Sequence, residues 1–109
     1  MKNPILILTT ASTNTEADQI ANKLVQERLA ACVNIIPNIK SIYRWKDKIS
    51  TDSEFLLIIK TMKSVENKVI QYIKKHHSYD TPEIISFPIT GGNKRYLDWM
   101  YDSVVQNHH

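Results

Sequence analysis

The spacing of apolar residues changes along the chain, and each change marks an element. Residues 5–8 (Ile5, Leu6, Ile7, Leu8) are an unbroken apolar run that exits into Thr9, Thr10, Ala11 and Ser12, the pattern of a strand buried on both faces. Thr13 with Glu16 three residues later forms a capping-box pair, and Ala17, Ile20, Ala21, Leu24 and Val25 then recur at helical spacing up to Leu29. Residues 31–45 are β-rich but interrupted by Pro37, which has no N–H for a ladder and so marks a bulge or an edge position. A polar turn at Lys46, Asp47 and Lys48 leads through Ile49 and Glu54 into the run 55–59, ahead of Lys60, so two long strands form a hairpin.

Ser64 stands where it can cap a second helix with Val65, Val69, Tyr72, Ile73 and His76 on one face. This places His76 inward and His77 about 100° away. Thr81 and Pro82 end the helical region, 83–89 reads as a fourth strand, and Gly91 with Gly92 breaks it. Asn93 then caps a closing helix carrying Tyr96, Leu97, Met100, Tyr101 and Val104. The order βαββαβ plus a terminal helix predicts an α+β, ferredoxin-like sandwich, with two helices on one face of a four-stranded antiparallel sheet. The second face of such a sheet ought to be polar, yet 55–59 and 33–36 are apolar at nearly every position. One terminal helix is too small to cover that face, so partner subunits are expected to complete the core.

Composition sharpens this picture without changing it. A chain of 109 residues, 42% hydrophobic and 23% charged, is one globular domain spanning 1–109. Its 15 Ile and 6 Val against 7 Leu favour sheet in the core. A net charge of +3 permits an anionic partner without requiring one. No apolar run approaches the roughly 18 residues of a bilayer-spanning helix, and the first residues lack a signal-peptide pattern, so no membrane partner is expected. Lone Cys32 excludes an intramolecular disulfide and points to the cytoplasm. His108 and His109 read as the stub of a purification tag.

Four ordered stretches resemble a known family. Ala30-Ala31-Cys32-Val33-Asn34-Ile35-Ile36-Pro37 with Ser41-Ile42-Tyr43-Arg44-Trp45, then Ser53-Glu54 and Ile58-Ile59-Lys60-Thr61, then His76-His77-Ser78-Tyr79-Asp80-Thr81-Pro82-Glu83-Ile84, and last Tyr96-Leu97-Asp98-Trp99, are similar to the divalent-cation tolerance protein family, CutA. The resemblance implies a tight homotrimer with hairpins pairing across subunits, and a role in tolerance of copper and other divalent cations. Related trimers resemble the PII signalling proteins, which implies an alternative role in sensing a small anionic effector in clefts between subunits. The family's metal site, carried over, joins His76 and His77 to a cysteine at the end of the first strand. Here that position reads Thr9.

Imidazole suits Cu(II) and Zn(II), and divalent affinity rises toward Cu(II), so the histidine pair is a credible weak site for Cu(II) or another divalent cation. Adjacent helical residues diverge, however, and both rings reach one ion only if the helix unwinds there. Thiolate is the soft ligand that favours Cu(I), so a threonine at position 9 argues against cuprous binding. An inward His76 reads equally as a hydrogen-bonded packing residue, which leaves His77 the better ligand. Cys32, in an Ala-Ala-Cys-Val run, is expected to be a small buried hydrophobe.

Glu54, Lys60 and Glu83 at strand ends are candidates to line an effector cleft, against the plainer reading of surface or intersubunit ion pairs. Tyr43, Trp45, Tyr79 and Trp99 either stack on a ligand or fill an interface between subunits. No nucleophile elbow, phosphate loop or zinc motif is present, so catalysis is not expected. An RNA-recognition fold shares the element order, but Glu54-Phe55-Leu56-Leu57-Ile58-Ile59 places aliphatics where stacking aromatics are required, which argues against nucleic acid.

Overall fold

The computed structural model describes residues 2–106, so His108 and His109 lie outside the described residues. The elements are β1 (Pro4–Ala11), α1 (Asn14–Gln26), β2 (Cys32–Trp45), β3 (Lys48–Met62), α2 (Glu66–His76), β4 (Ile84–Pro88) and α3 (Lys94–Ser103). All strand pairs are antiparallel, in the order β2-β3-β1-β4. This is the α+β arrangement that the hydrophobic pattern predicts.

Local chemistry accounts for most of the boundaries. Thr13 Oγ1 accepts the Glu16 N–H at 3.1 Å and opens α1, while Glu16 reaches back to the N–H of Ser12 at 3.3 Å. The helix closes at Gln26, three residues before Leu29, because Arg28 turns left-handed with φ 58°. The Arg28 and Leu29 amides then bond the Val25 and Leu24 carbonyls at 3.0 and 2.9 Å, a Schellman-type stop with an arginine where glycine is usual. From there the Arg28 guanidinium grips the end of α3 through the carbonyls of Asp102 and Ser103 at 2.6 and 3.2 Å.

Pro37 sits where expected, on an edge strand and in a bulge. The β2–β3 register slips between Ile36 and Ile39, with Asn38 at φ 59°. The hairpin turn is tighter than the sequence suggests. Trp45 pairs with Lys48, leaving only Lys46 and Asp47, both at positive φ, in the two-residue geometry that matches strand twist.

Ser64 does not cap α2. The chain enters that helix through a 3₁₀ turn at Lys63–Val65, and Val65 occupies the N-cap position without a side-chain cap bond. Asn93 does cap α3, its side-chain oxygen accepting the Arg95 N–H at 3.0 Å.

Strand alternation divides the sheet into two apolar faces. On one face Ile5, Ile7, Leu57 and Ile59 are buried with Ala17, Ile20 and Leu24 of α1 and Val69 and Ile73 of α2. On the other, Leu8 lies opposite both Ile58 and Ile85, while Ile36 pairs with Leu56 and Leu6 with Phe87. Helix α3 covers only one end of this second face, where Leu97, Met62 and Pro4 line a shared hollow of about 290 Å³. Ile36, Ile85 and Phe87 remain exposed, as do Ile42, Trp45 and Ile49 on the projecting hairpin. Cys32 lies on this open face beside Lys60 and is only half-buried, not the buried hydrophobe expected, because its neighbours sit on the uncovered side.

Candidate functional site

The histidine pair does not occupy one helix surface. Helix α2 ends at His76, and His77 is already extended, with φ −86° and ψ 143°. His76 is exposed rather than inward; its ring stacks on Tyr72 at 4.1 Å, and its Nδ1–H donates to the Tyr72 carbonyl at 3.0 Å. The inward expectation assumed helical spacing up to and past His76, whereas the last turn points its ring back along the helix surface.

His77 is half-buried and uses both ring nitrogens. A carbonyl only accepts, so Nε2–H donates to Thr10 O at 2.6 Å; Nδ1 then accepts the Tyr79 N–H at 3.0 Å. Two further bonds tie down the same loop. The Ser78 N–H donates to Glu16 Oε2 at 2.7 Å, and Tyr79 Oη donates to Glu54 Oε2 at 2.8 Å. Burial alone would raise the Glu16 carboxyl, but the hydrogen bonds from Ser78 and Ser12 outweigh it and hold the group below its ordinary value. Burial, and next the Glu54 carboxylate, push the Tyr79 phenol up to about 12.

This loop walls a groove of about 680 Å³ over the end of the open sheet face opposite α3. The hairpin contributes Ser41, Ile42, Tyr43, Trp45 and Glu54; β1 contributes Thr10, and the loop contributes Tyr79, Asp80, Thr81 and Glu83. Glu54 is only 7% exposed, so this strand-end carboxylate is buried against Tyr79 and not solvated. Tyr43 donates to Asp52, a bond that raises its phenol above the usual value. The groove thus unites Glu54, Glu83, Tyr43, Trp45 and Tyr79 among the residues singled out from sequence. It leaves out Lys60, whose ammonium lies over the Tyr96 ring and within 3.4 Å of its hydroxyl on the α3 side. Trp99 also lies apart, on α3 beside Tyr96.

Sequence reasoning missed Thr10, Glu16 and Asp80. Thr10 acts through its main-chain carbonyl, which no side-chain pattern reveals. Glu16 carried the visible signal of a capping-box partner, but its second oxygen serves a loop 62 residues away.

The residues carried over as metal ligands do not assemble into a metal site within the chain. Thr9 is fully buried and its Oγ1 has no hydrogen-bond partner, so it offers a neutral, enclosed hydroxyl and no thiolate. The His77 lone pair is directed at an amide. Among the described residues no group of three or more His, Cys, Asp or Glu side chains converges as an ion would need.

The model for the CutA1 divalent ion tolerance protein family matches residues 5–103. The chain belongs to that family. It is 46% identical over 99 residues to the chloroplastic protein CutA of Arabidopsis thaliana, covering 91% of this chain and 54% of that one. It is 44% identical over 98 residues to the divalent-cation tolerance protein CutA of Thermus thermophilus, covering 90% of this chain and 95% of that one. The chain therefore spans about half of the plant relative and nearly all of the bacterial one. Among solved structures, the periplasmic divalent cation tolerance protein CutA from Archaeoglobus fulgidus superposes with a TM-score of 0.89 at 43% identity, covering 96% of this chain and all of that one.

These relatives overturn the cytoplasmic expectation. A family whose members are named chloroplastic and periplasmic is not tied to the cytosol, and one unpaired cysteine does not decide a compartment.

Proposed function

We propose that this chain serves divalent-cation tolerance as a non-enzymatic homotrimer that binds divalent cations, Cu(II) first, where subunits meet. The observation that carries the reading is the open apolar face, which runs from Leu8, Ile58 and Ile85 to the mouth of the carboxylate-lined groove. An uncovered patch of this kind marks an association surface. The described residues of a single chain gather too few ligating side chains for an ion, so donors from a neighbour are needed to complete a site. Cu(II) leads because affinity of nitrogen and oxygen donors generally peaks there. The non-enzymatic part of the reading rests on separation: Cys32 pairs with Lys60 and Thr10 with Leu56, four residues apart along β3, so His77 and the only thiol make no dyad.

A second reading, an effector-binding protein, is favoured by the groove's size, which suits a small organic ligand. The groove's lining argues against the anionic class, because Glu54, Asp80 and Glu83 contribute carboxylates and no lysine or arginine lines it. A cationic or neutral ligand fits that lining better.

Light scattering and Cu(II) calorimetry on the same sample test the proposal. The expected result is a mass three times the 12.6 kDa of one chain with saturable copper uptake. A monomer of 12.6 kDa, or a trimer that takes up no Cu(II), sinks it.

A further inference from the structure

We infer that His77 is not a metal ligand in this chain but the clasp that positions the Tyr79 loop over the groove. A ligating imidazole must turn a free lone pair toward the ion. The Nδ1 lone pair of His77 already receives the Tyr79 N–H at 3.0 Å, and Nε2 carries the proton given to Thr10 O at 2.6 Å. Metallating Nδ1 orphans a part-buried amide, and metallating Nε2 orphans a part-buried carbonyl. Each loss costs far more than an exposed hydrogen bond would.

The surroundings point the same way. Glu16, the nearby carboxylate, is spent on the Ser12 and Ser78 amides, and Thr9 offers only an enclosed hydroxyl. His76 faces away, its Nδ1–H committed to Tyr72 and its ring stacked there. The clasp role has a positive content as well. The loop after α2 is pinned to three different elements: to β1 by His77, to α1 by Ser78 and to β3 by Tyr79. His77 is the first of these tethers in chain order and the one that contacts both β1 and Tyr79, so it fixes where Tyr79, Asp80 and Glu83 stand. The inference holds whether or not copper binds between subunits, because it concerns the state of one ring.

Nitrogen-15 NMR of the histidine rings in the intact protein, with Zn(II) as a diamagnetic probe, tests it. His77 is expected as a single neutral Nε2–H tautomer with a slowly exchanging ring proton, and Zn(II) leaves both unchanged. Loss of that proton with a shift of the His77 nitrogens on adding Zn(II) overturns the inference. Amide exchange in two variants gives an independent readout. His77→Gln keeps a donor for Thr10 O and is expected to hold exchange at Ser78 within about twofold of the parent, whereas His77→Ala accelerates it about tenfold or more. His77→Gln exchanging as fast as His77→Ala overturns the clasp; if His77→Ala does not fold, the ring spectra of the parent still decide.

Discussion

Tyr79 Oη donates to Glu54 Oε2 at 2.8 Å, so a loop that follows the second helix is fastened to the third strand by a half-buried phenol and a buried carboxylate. The bond exists only while the phenol keeps its proton. Its pKa is raised from 10.0 to about 12 in the folded protein, so its contribution is complete below pH 10 and is lost as pH rises from 10 to 12. Denaturant unfolding across that window is expected to show stability falling with pH, and Tyr79→Phe is expected to flatten this slope while lowering stability at pH 7. An unchanged slope in the variant refutes the assignment.

Thr9 buries a hydroxyl that bonds to nothing. Removing an unsatisfied buried polar atom without changing shape much is expected to stabilise, so Thr9→Val should gain about 1 kcal/mol. Chemical denaturation of the variant measures it, and a loss of stability would show that the hydroxyl has a partner.

The hairpin turn places Lys46 and Asp47 at φ 49° and 63°, where neither residue is at ease. The double change Lys46→Asn, Asp47→Gly installs the dipeptide this turn prefers and should add about 0.5–1 kcal/mol, a rise of a few degrees in Tm. A fall in Tm would mean that the turn contributes contacts beyond its backbone.

Ile58 lies near the middle of the open face, opposite Leu8 and Asn34, and is only half-buried in the single chain. Ile58→Asp is expected to leave the secondary structure of the subunit intact while abolishing self-association by sedimentation, since a carboxylate cannot be desolvated in an apolar contact. Retained assembly would move the interface elsewhere.

The fold was largely legible in the sequence because its signals are local. The capping residues Thr13 and Asn93, the bulge at Pro37 and the switch between strand and helix spacing each act over a few residues. What failed was also local, but lay at helix ends. Ser64 looks like a cap until a 3₁₀ turn moves the helix start to Glu66, and the periodicity that put His76 inward runs out in the last turn of the helix. The site was half legible. Charged residues at strand ends and aromatics beside them identified Glu54, Glu83, Tyr43, Trp45 and Tyr79, but equally promoted Lys60, which belongs to the α3 side of the sheet.

By itself, then, the sequence determined the element order, the α+β class, the family and the two apolar faces of the sheet. Each depends on residue type at fixed spacing, and spacing survives without coordinates. Only the tertiary structure decided that five scattered residues share one groove, that α3 leaves most of the second face bare, and that His77 is bound at both nitrogens. Those outcomes depend on main-chain groups such as the Thr10 carbonyl and on contacts across more than sixty residues, which folding brings together and no local pattern encodes.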